Sequence, residues 1–353
     1  MSLCELWISQ LRCLEAVQLE LAPGLTLIWG GNGSGKTSVL EAIFLLGRGR
    51  SFRIRNNNRL IRHGQDHLRV TGQVAGLVGD TLSLAVQATP AGTTAWIEGR
   101  TVDSLAELSR AFAVQVIDPG IHRLIEEAGH RRRRWLDWAV FHVEPQFVDN
   151  WIQYVRVLKQ RNAALKRTAD EARVWDPQLA RLGELITRSR RDLMRRLEPY
   201  WHETVATLSG LDLELHYQAG WNQEHTLAEA LGQSWARDVA RELTHAGPHR
   251  ADVAVRVHGR AAREVLSRGQ QKLVAAAMTL AQLKLLRDET ALTPTLLLDD
   301  PAAELDRAHL ERFITEVLRL RCQLVLTSLH AEPHLFGAPE RTFCMEEGRV
   351  QPV

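Results

Sequence analysis

The sequence has little cysteine, no long apolar run and almost no net charge. Its four cysteines form no C-x-x-C pair, which favours reduced, mostly buried thiols in a cytoplasmic protein. No apolar segment approaches the ~20 residues that a membrane-spanning helix needs, so we expect no membrane association. Residues 1–10 contain Glu5 and no basic run, so they do not resemble a signal peptide. What remains is a globular chain of 353 residues, long enough for one large domain or two to three ordinary ones.

The net charge of +2 says little about partners, but the charges are unevenly distributed. Between residues 121 and 200 there are 17 Lys and Arg against 11 Asp and Glu, and almost all of the basic residues are Arg. Arginine favours bidentate phosphate contacts. A run such as Arg131–Arg134 nevertheless belongs more often to a solvated helix face. Charge alone therefore leaves nucleic-acid binding open.

Residues Gly30–Thr37 have the sequence GGNGSGKT and fit the phosphate-binding pattern G-x-x-x-x-G-K-[ST]. The apolar run Leu25–Trp29 before them predicts a strand, and the apolar spacing of Ser38–Leu46 after them predicts a helix. In that context backbone N–H groups can bind phosphate, Lys36 can reach the outer phosphates, and Thr37 can hold Mg²⁺. The candidate nucleotide contacts are Gly30, Gly31, Asn32, Gly33, Ser34, Gly35, Lys36, Thr37 and Ser38.

The segment Thr295–Asp300 is an apolar strand that ends in two carboxylates. Such a strand delivers its terminal acids to the edge of the sheet beside the phosphate loop, where Asp299 can bind Mg²⁺ and Asp300 can orient or deprotonate a water. Taken alone, the acidic pair is equally well explained as a helix N-cap. With the phosphate loop it predicts an ATPase site in which Lys36 and Asp300 are catalytic and Thr37 and Asp299 hold the metal.

Residues Leu266–Gln270 (LSRGQ) differ by one residue from the L-S-G-G-Q signature of ABC-type ATPases. Ser267 and the Gly269 N–H would begin a helix, which is an anion-binding terminus, although an ordinary serine N-cap is the alternative. In ABC-type ATPases this terminus faces the γ-phosphate of ATP held by the opposite subunit. The resemblance therefore implies a homodimer in which Ser267, Gly269 and Gln270 complete the nucleotide site of the second copy.

Two further segments have the spacing of ABC-type elements. Ala303–Asp306 follows the acidic pair where the D-loop lies. His330 follows the strand Gln323–Thr327 where the switch histidine lies, which makes it a candidate catalytic contact to the γ-phosphate, although an isolated histidine is more often a surface residue. Gln115 is only a candidate for the glutamine-loop residue.

Strand patterns occur towards both chain ends, and helical periodicity dominates the middle. Val114–Ile117 is typical of the strands, whereas His130–Arg167 and Leu179–Thr207 predict a pair of antiparallel helices separated at Asp176–Pro177. We predict an α/β fold: an ABC-type P-loop ATPase head built from residues 1–120 and 245–353. A mainly helical lobe is predicted to be inserted over residues 121–244.

Taken together, the motifs resemble the RecF family, the bacterial recombination and repair ATPases, over nearly the whole chain. The residues that carry the resemblance are Arg12, Gly30–Thr37 with its following helix, Gly49–Arg53, Gly129–Asp137, Gly247–Asp252 (GPHRAD) and Leu266–Leu273. The sequence departs from the family at Leu11 and Cys13 around Arg12, at Gly31 in the phosphate loop, and at Gly120–Ile121. None of these departures removes a group that ATP chemistry needs.

The resemblance implies slow, DNA-stimulated ATP hydrolysis with ATP and Mg²⁺ as cofactors, and Arg12 as a further nucleotide contact. It implies an ATP-gated dimer that holds duplex DNA near single-strand gaps, in DNA repair, replication and the SOS response to DNA damage. It also implies RecR as a partner, with RecO and with RecA loaded downstream. Arg50, Arg53 and Arg131–Arg134 become candidate phosphate contacts, which would be salt-dependent and largely independent of DNA sequence.

The main alternative is the ATPase subunit of an ABC membrane transporter, which shares the phosphate loop, the signature and the acidic strand end. Against it, residues 118–262 are too long for the helical subdomain of such a subunit, and the GPHR segment Gly247–Arg250 has no role there. The short insert excludes a chromosome-organising ATPase with a long coiled coil. A catalytically inactive scaffold has no support, because Lys36, Thr37, Asp299 and Asp300 are all present.

Overall fold

The computed structural model of the chain describes residues 2–76, 79–290, 292–303, 305–331 and 336–352. The strands are β1 (Ser2–Leu11), β2 (Leu14–Glu20), β3 (Leu25–Trp29), β4 (Leu68–Ala75), β5 (Thr81–Thr89), β6 (Gly92–Ile97), β7 (Arg100–Thr101), β8 (Val114–Ile117), β9 (Glu214–Gln218), β10 (Asp252–Val257), β11 (Arg260–Ala261), β12 (Thr295–Asp299), β13 (Leu324–Ser328), β14 (Arg341–Glu346) and β15 (Arg349–Pro352).

The helices are α1 (Lys36–Arg48), α2 (Leu105–Ala111), α3 (Arg123–Glu126), α4 (His130–Val143), α5 (Phe147–Leu165), α6 (Ala169–Ala172), α7 (Asp176–Ser209), α8 (Leu227–Gln233), α9 (Trp235–Arg241), α10 (Ala262–Val265), α11 (Arg268–Glu289) and α12 (Arg307–Arg319). Single 3₁₀ turns occur at Asn57–Leu60, Arg173–Trp175, Pro248–Arg250 and Pro301–Ala303. In these described parts of the chain, no helix is both long and apolar enough to cross a membrane.

The chain folds into two units, one formed by Met1–Ile121 with Thr290–Val353 and the other by His122–Glu289. Both chain ends therefore lie in one mixed α/β unit, as predicted for an ABC-type head. The second unit extends beyond the residue 244 at which the sequence placed the end of the helical lobe. The physical reason is that α11, although it follows the strands β10 and β11, packs along α7 and α4 within the second unit.

The first unit contains a six-stranded sheet in the order β15-β14-β3-β13-β12-β8. Strands β14, β3, β13, β12 and β8 run parallel, and β15 forms an antiparallel hairpin with β14. All residues of β12 and β13 are buried, which explains why these strands have continuous apolar runs rather than alternating ones. The carboxyl ends of β3, β12 and β13 meet at one edge, and the candidate site lies there.

A second, antiparallel sheet of the first unit has the order β2-β1-β4-β5-β6-β7. Helix α1 is buried along almost its whole length, and its apolar residues join those of both sheets in one core. Val39, Leu40 and Ile43 of α1 are completely buried there. Since α1 begins at Lys36, this packing fixes the helix whose N-terminus carries the phosphate loop.

The second unit is mainly helical, with the small antiparallel sheet β11-β10-β9. The helical stretch predicted over His130–Arg167 is two helices, α4 and α5, because Pro145 cannot continue α4. Pro177 was predicted to separate two helical stretches, and it instead lies in the first turn of α7, where its missing N–H costs no hydrogen bond. Helix α7 packs against α5 and α11.

The four cysteines are free thiols, as predicted. The expectation that they are mostly buried is wrong, since Cys13 is exposed and Cys4, Cys322 and Cys344 are half-buried.

Candidate nucleotide site

The phosphate loop lies between β3 and α1, in the strand–loop–helix arrangement predicted from the sequence. Gly30 has a φ of 154°, and a Cβ there would lie 2.2 Å from the Met345 carbonyl oxygen. Gly35, at the N-cap of α1, has a φ of 110°, a left-handed conformation that glycine adopts without steric cost. The hairpin of β14 and β15 supports the loop from the side, because the Gly348 N–H donates to the Ser34 carbonyl oxygen at 2.9 Å.

Lys36, the first residue of α1, turns back over the loop. Its ammonium donates to the carbonyl oxygens of Gly30 at 2.6 Å and Gly31 at 2.8 Å. Burial lowers the pKa of Lys36, and the negative charges of Asp300 and Asp299 oppose that shift. The cation is therefore held at the loop and faces the acidic strand end.

Thr37 and Asp299 lie in direct contact, although they are far apart in the sequence. The Thr37 hydroxyl is 2.9 Å and 3.2 Å from the two carboxylate oxygens of Asp299, which is buried at the end of β12. A hydroxyl and a carboxylate are oxygen ligands of the kind that Mg²⁺ prefers when phosphates and waters supply the rest. Among the described residues there is no cluster of three or more His, Cys, Asp or Glu that could hold a metal alone. The donor set fits Mg²⁺ bound together with a phosphate.

Asp300 follows β12 in a left-handed conformation, with a φ of 47°. Burial raises the pKa of its carboxyl, while the charges of Lys36 and His330 lower it. The Asp300 N–H donates to the Thr327 hydroxyl at 3.0 Å, and the same hydroxyl lies 3.0 Å from the Asp299 carboxylate. The sequence did not identify Thr327, because an isolated threonine at the end of a strand carries no motif.

His330 lies two residues after β13, near the edge of the sheet that carries the acidic pair. Its backbone N–H approaches the Ser328 hydroxyl at 3.4 Å, and its charge acts on Asp300. Gln115 does not reach this edge. It lies within β8 opposite Leu296, three residues before Asp299 in the neighbouring strand, so the glutamine-loop hypothesis for Gln115 is wrong.

Arg12 lies in the turn between β1 and β2 and binds Glu41 of α1. Its Nε is 2.6 Å from one Glu41 oxygen and its Nη2 is 3.1 Å from the other. Glu41 is completely buried and also accepts from the Ser51 hydroxyl at 2.5 Å. The sequence predicted a phosphate contact for Arg12 and did not identify Glu41, whose apolar neighbours in α1 give no sign of a buried acid.

The signature segment lies in the second unit, where α11 begins. The Gln270 N–H approaches the Ser267 hydroxyl at 3.3 Å, and the Ser267 N–H donates to the Gln270 side chain at 3.0 Å. The two side chains thus form a reciprocal helix cap. The Ser267 side chain is exposed, as is Gly269, the second residue of the helix, and Gln270 is half-buried. Ser267 is therefore an N-cap residue of α11, and the N-terminus of the helix remains accessible.

The D-loop hypothesis rests on Ala303–Asp306, of which Glu304 lies outside the described residues. Asp306 is the N-cap of α12, where its carboxylate accepts from the His309 N–H at 3.0 Å. A contact to nucleotide from this segment stays a prediction.

The arginine run of α4 differs from the predicted row of phosphate contacts. Arg132 is buried and its guanidinium is bound to protein groups. Arg133 donates to the Ala251 carbonyl oxygen at 2.5 Å. The hypothesis of a DNA contact is therefore wrong for Arg132. A helical sequence pattern could not show which arginine of four consecutive ones faces inward.

Comparison with known proteins gives concordant results. The family described as "RecF/RecN/SMC N terminal domain" matches residues 2–343. The DNA replication and repair protein RecF of Pseudomonas putida (strain W619) is 38% identical over 359 residues, covering 99% of this chain and 98% of that protein. Among solved structures, the recombination mediator protein RecF with ATP, of the RecFOR pathway, superposes with a TM-score of 0.89 at 26% identity, covering 100% and 97% of the two chains. The corresponding RecF–ATPrS structure gives 0.87 at 27% identity, covering 99% and 98%.

Proposed function

The chain belongs to the RecF family, and on this premise we propose that it is an ATP-dependent DNA-binding protein of recombinational repair and replication. In the proposal, ATP closes two copies around duplex DNA near single-strand gaps, and slow, DNA-stimulated hydrolysis reopens them. The observation that carries the proposal is the contact of Thr37 with Asp299 at 2.9 Å. It joins the phosphate loop to the acidic strand end beside Lys36.

Each residue of this edge has a proposed task in hydrolysis. Lys36 and the loop N–H groups would bind the β- and γ-phosphates, and Thr37 and Asp299 would hold Mg²⁺. The metal, when bound, neutralises charge that develops on the phosphates. Asp300, whose pKa is raised by burial, would orient or deprotonate the attacking water, and His330 would contact the γ-phosphate. Arg12 would contact phosphate while Glu41 holds its guanidinium.

The second copy is proposed to supply the signature residues Ser267, Gly269 and Gln270. Support comes from the exposed positions of Ser267 and Gly269 at the N-terminus of the long helix α11, where backbone N–H groups favour an anion. The Ser267 hydroxyl oxygen accepts from the Gln270 N–H, so its own O–H would remain available to donate to a γ-phosphate.

The partners proposed are DNA, a second copy of the chain, and RecR with RecO, followed by RecA loading, in the cytoplasm. Support comes from the full-length similarity to RecF proteins, one of which is described as a recombination mediator of the RecFOR pathway. The same similarity disfavours the ATPase subunit of a membrane transporter. Exposed arginines of the second unit, such as Arg188 and Arg191 of α7, are candidate DNA contacts.

The test measures ATP turnover and sedimentation with and without gapped duplex DNA, at two salt concentrations. We expect DNA to raise turnover and added salt to weaken that response, since phosphate contacts release counterions. Asp300→Asn should retain ATP and stabilise the dimer while turnover falls by about 10²–10⁴-fold, the usual contribution of a general base. Ser267→Arg should bind ATP and remain monomeric. The proposal would be refuted if DNA does not change the rate of ATP turnover, or if the Ser267→Arg chain dimerises normally.

A further inference from the structure

Two motifs have no task in the proposed nucleotide site: the arginine run Arg131–Arg134 and the segment Gly247–Asp252. In the structure they bind each other inside the second unit. Arg132 of α4 donates from Nε and Nη2 to the two carboxylate oxygens of Asp252, each at 2.8 Å. Two parallel bonds of this kind fix the guanidinium plane as well as its charge. A Cβ on Gly129 would lie 2.7 Å from the Asp252 carboxyl carbon, so glycine at 129 permits this close approach.

The third nitrogen of Arg132 binds the end of α3. Its Nη1 donates to the carbonyl oxygens of Leu124 at 2.9 Å, Ile125 at 3.3 Å and Glu127 at 2.7 Å. The last carbonyl groups of a helix have no partner within the helix, and here a single buried side chain supplies one. Arg132 therefore connects three segments: α4, the beginning of β10 at Asp252, and the end of α3.

Helix α3 in turn packs against α10 and α11, the elements on either side of the signature. Glu126, the last residue of α3, lies 3.6 Å from the guanidinium of Arg268. Arg268 is the first helical residue of α11 and stands between Ser267 and Gly269. Leu266, immediately before them, is buried. A shift at the end of α3 would thus reach the helix terminus that carries the signature.

We propose that Arg132, bound to Asp252, is a positioning residue that holds α3 and thereby the first turn of α11 in the orientation the signature needs. The inference deepens the proposed function and rests on it for the consequence in ATP-driven pairing. Lysine cannot replace Arg132, because an ammonium lacks the planar fork that binds a carboxylate and three carbonyl groups together.

Neighbouring arginines of the same run provide the matched control. Arg134, two residues further along α4, is exposed, and its Nε approaches the His130 carbonyl oxygen at 3.4 Å. Arg134→Lys and Arg132→Lys are therefore the same chemical change on one helix, at an exposed and a buried position. Asp252→Asn is the milder change at the other end of the pair, since it keeps the shape and removes the charge.

The experiment compares the full-length chain with Arg132→Lys, Asp252→Asn, their double variant and Arg134→Lys. Hydrogen exchange without nucleotide should be about tenfold faster in residues 271–276, the first hydrogen-bonded turn of α11, in Arg132→Lys and unchanged in Arg134→Lys. ATP binding should stay within about twofold of the parent, because the phosphate loop lies in the first unit. ATP-driven dimerisation should weaken about tenfold or more. The double variant should be no worse than Arg132→Lys, since both changes break one pair.

If hydrogen exchange in residues 271–276 is unchanged in both Arg132→Lys and Asp252→Asn, the inference is overturned. This holds regardless of the results for ATP binding and dimerisation. Equal loss of ATP binding and dimerisation also overturns it, because that result indicates general destabilisation. If Arg132→Lys folds poorly, Asp252→Asn replaces it as the variant in which hydrogen exchange and dimerisation are measured. A parent chain that binds ATP and stays monomeric refutes the proposed function instead, and the exchange measurement still decides the inference.

Discussion

The buried pair of Arg12 and Glu41 allows a quantitative prediction. Removing Arg12 in Arg12→Ala leaves the completely buried Glu41 carboxylate with the Ser51 hydroxyl at 2.5 Å and the Arg53 guanidinium only at 4.0 Å. Deleting one partner of a buried ion pair costs about 3–5 kcal/mol. The Arg12 side chain is 29% exposed, so screening by solvent places our expectation at the lower end, about 3 kcal/mol.

For a domain of this size, about 3 kcal/mol lowers the unfolding temperature by roughly 6–12 °C. Thermal unfolding followed by circular dichroism measures the change. The matched control is Arg307→Ala, because Arg307 pairs with Glu311 at 3.0 Å on an exposed face of the same unit, and such pairs are worth about 0.5 kcal/mol or less. Adding Glu41→Gln to Arg12→Ala should recover part of the loss, since a neutral amide needs no counterion.

A loss below about 1 kcal/mol for Arg12→Ala, or no recovery from the added Glu41→Gln, would refute the reasoning. Either result would mean that solvent or Arg53 neutralises Glu41 as well as Arg12 does. ATP affinity measured well below the unfolding temperature then tests the separate prediction that Arg12 contacts phosphate.

Three further changes follow from the same site and from the second unit. Thr327→Val should raise the Mg²⁺ concentration needed for half-maximal ATP binding about tenfold, because the Asp299 carboxylate loses a donor at 3.0 Å. A change of about tenfold is the effect of losing one hydrogen bond to a charged group. Thr327→Ser keeps the hydroxyl and should retain the Mg²⁺ dependence of the parent. Turnover should fall on acidification already above the ordinary carboxyl range, because burial raises the pKa of Asp300. Burial also lowers the pKa of His249 to about 4, so chemical denaturation should show stability falling by up to about 3 kcal/mol between pH 6.5 and 4.

Stability falls on acidification because His249 is neutral in the folded protein. Below pH 6.5 the His249 side chain is protonated in the unfolded chain, whereas in the folded chain it stays neutral until about pH 4. Acidification therefore lowers the free energy of unfolding between pH 6.5 and 4, and His249 contributes little further change below pH 4. His249→Asn should flatten this dependence. An unchanged pH dependence in His249→Asn, a Thr327→Ser chain as weak as Thr327→Val, or turnover in Asp300→Asn that keeps the parent's pH profile would each contradict the corresponding prediction.

Much of the site was predictable because it consists of motifs with local causes. Gly30–Thr37 forms a tight loop that its glycines permit, and the apolar run Thr295–Asp299, followed by Asp300, forms the predicted buried strand. Their meeting also followed from sequence, since the carboxyl ends of parallel strands share one edge of the sheet. The bounds of β8, Val114–Ile117, were predicted without error.

Other residues escaped prediction because their partners are distant in the sequence. Thr327 matters through Asp299 and Asp300, 28 and 27 residues away, and Glu41 through Arg12 in another strand. Neither has a local pattern that distinguishes it from ordinary residues of its helix or strand. The sequence placed the end of the helical lobe at residue 244, whereas the second unit runs to Glu289, because α11 packs along α7 and α4.

The sequence by itself determined the chemistry of this protein: a phosphate loop, an acidic strand end and a signature segment, each specified by residues close together in the chain. The tertiary structure decided which charges remain available for ligands. Four consecutive arginines are equivalent in sequence, yet Arg132 is buried against Asp252 while Arg134 is exposed. That difference depends on which face of α4 meets β10, and only long-range packing fixes the rotation of a helix against its neighbours.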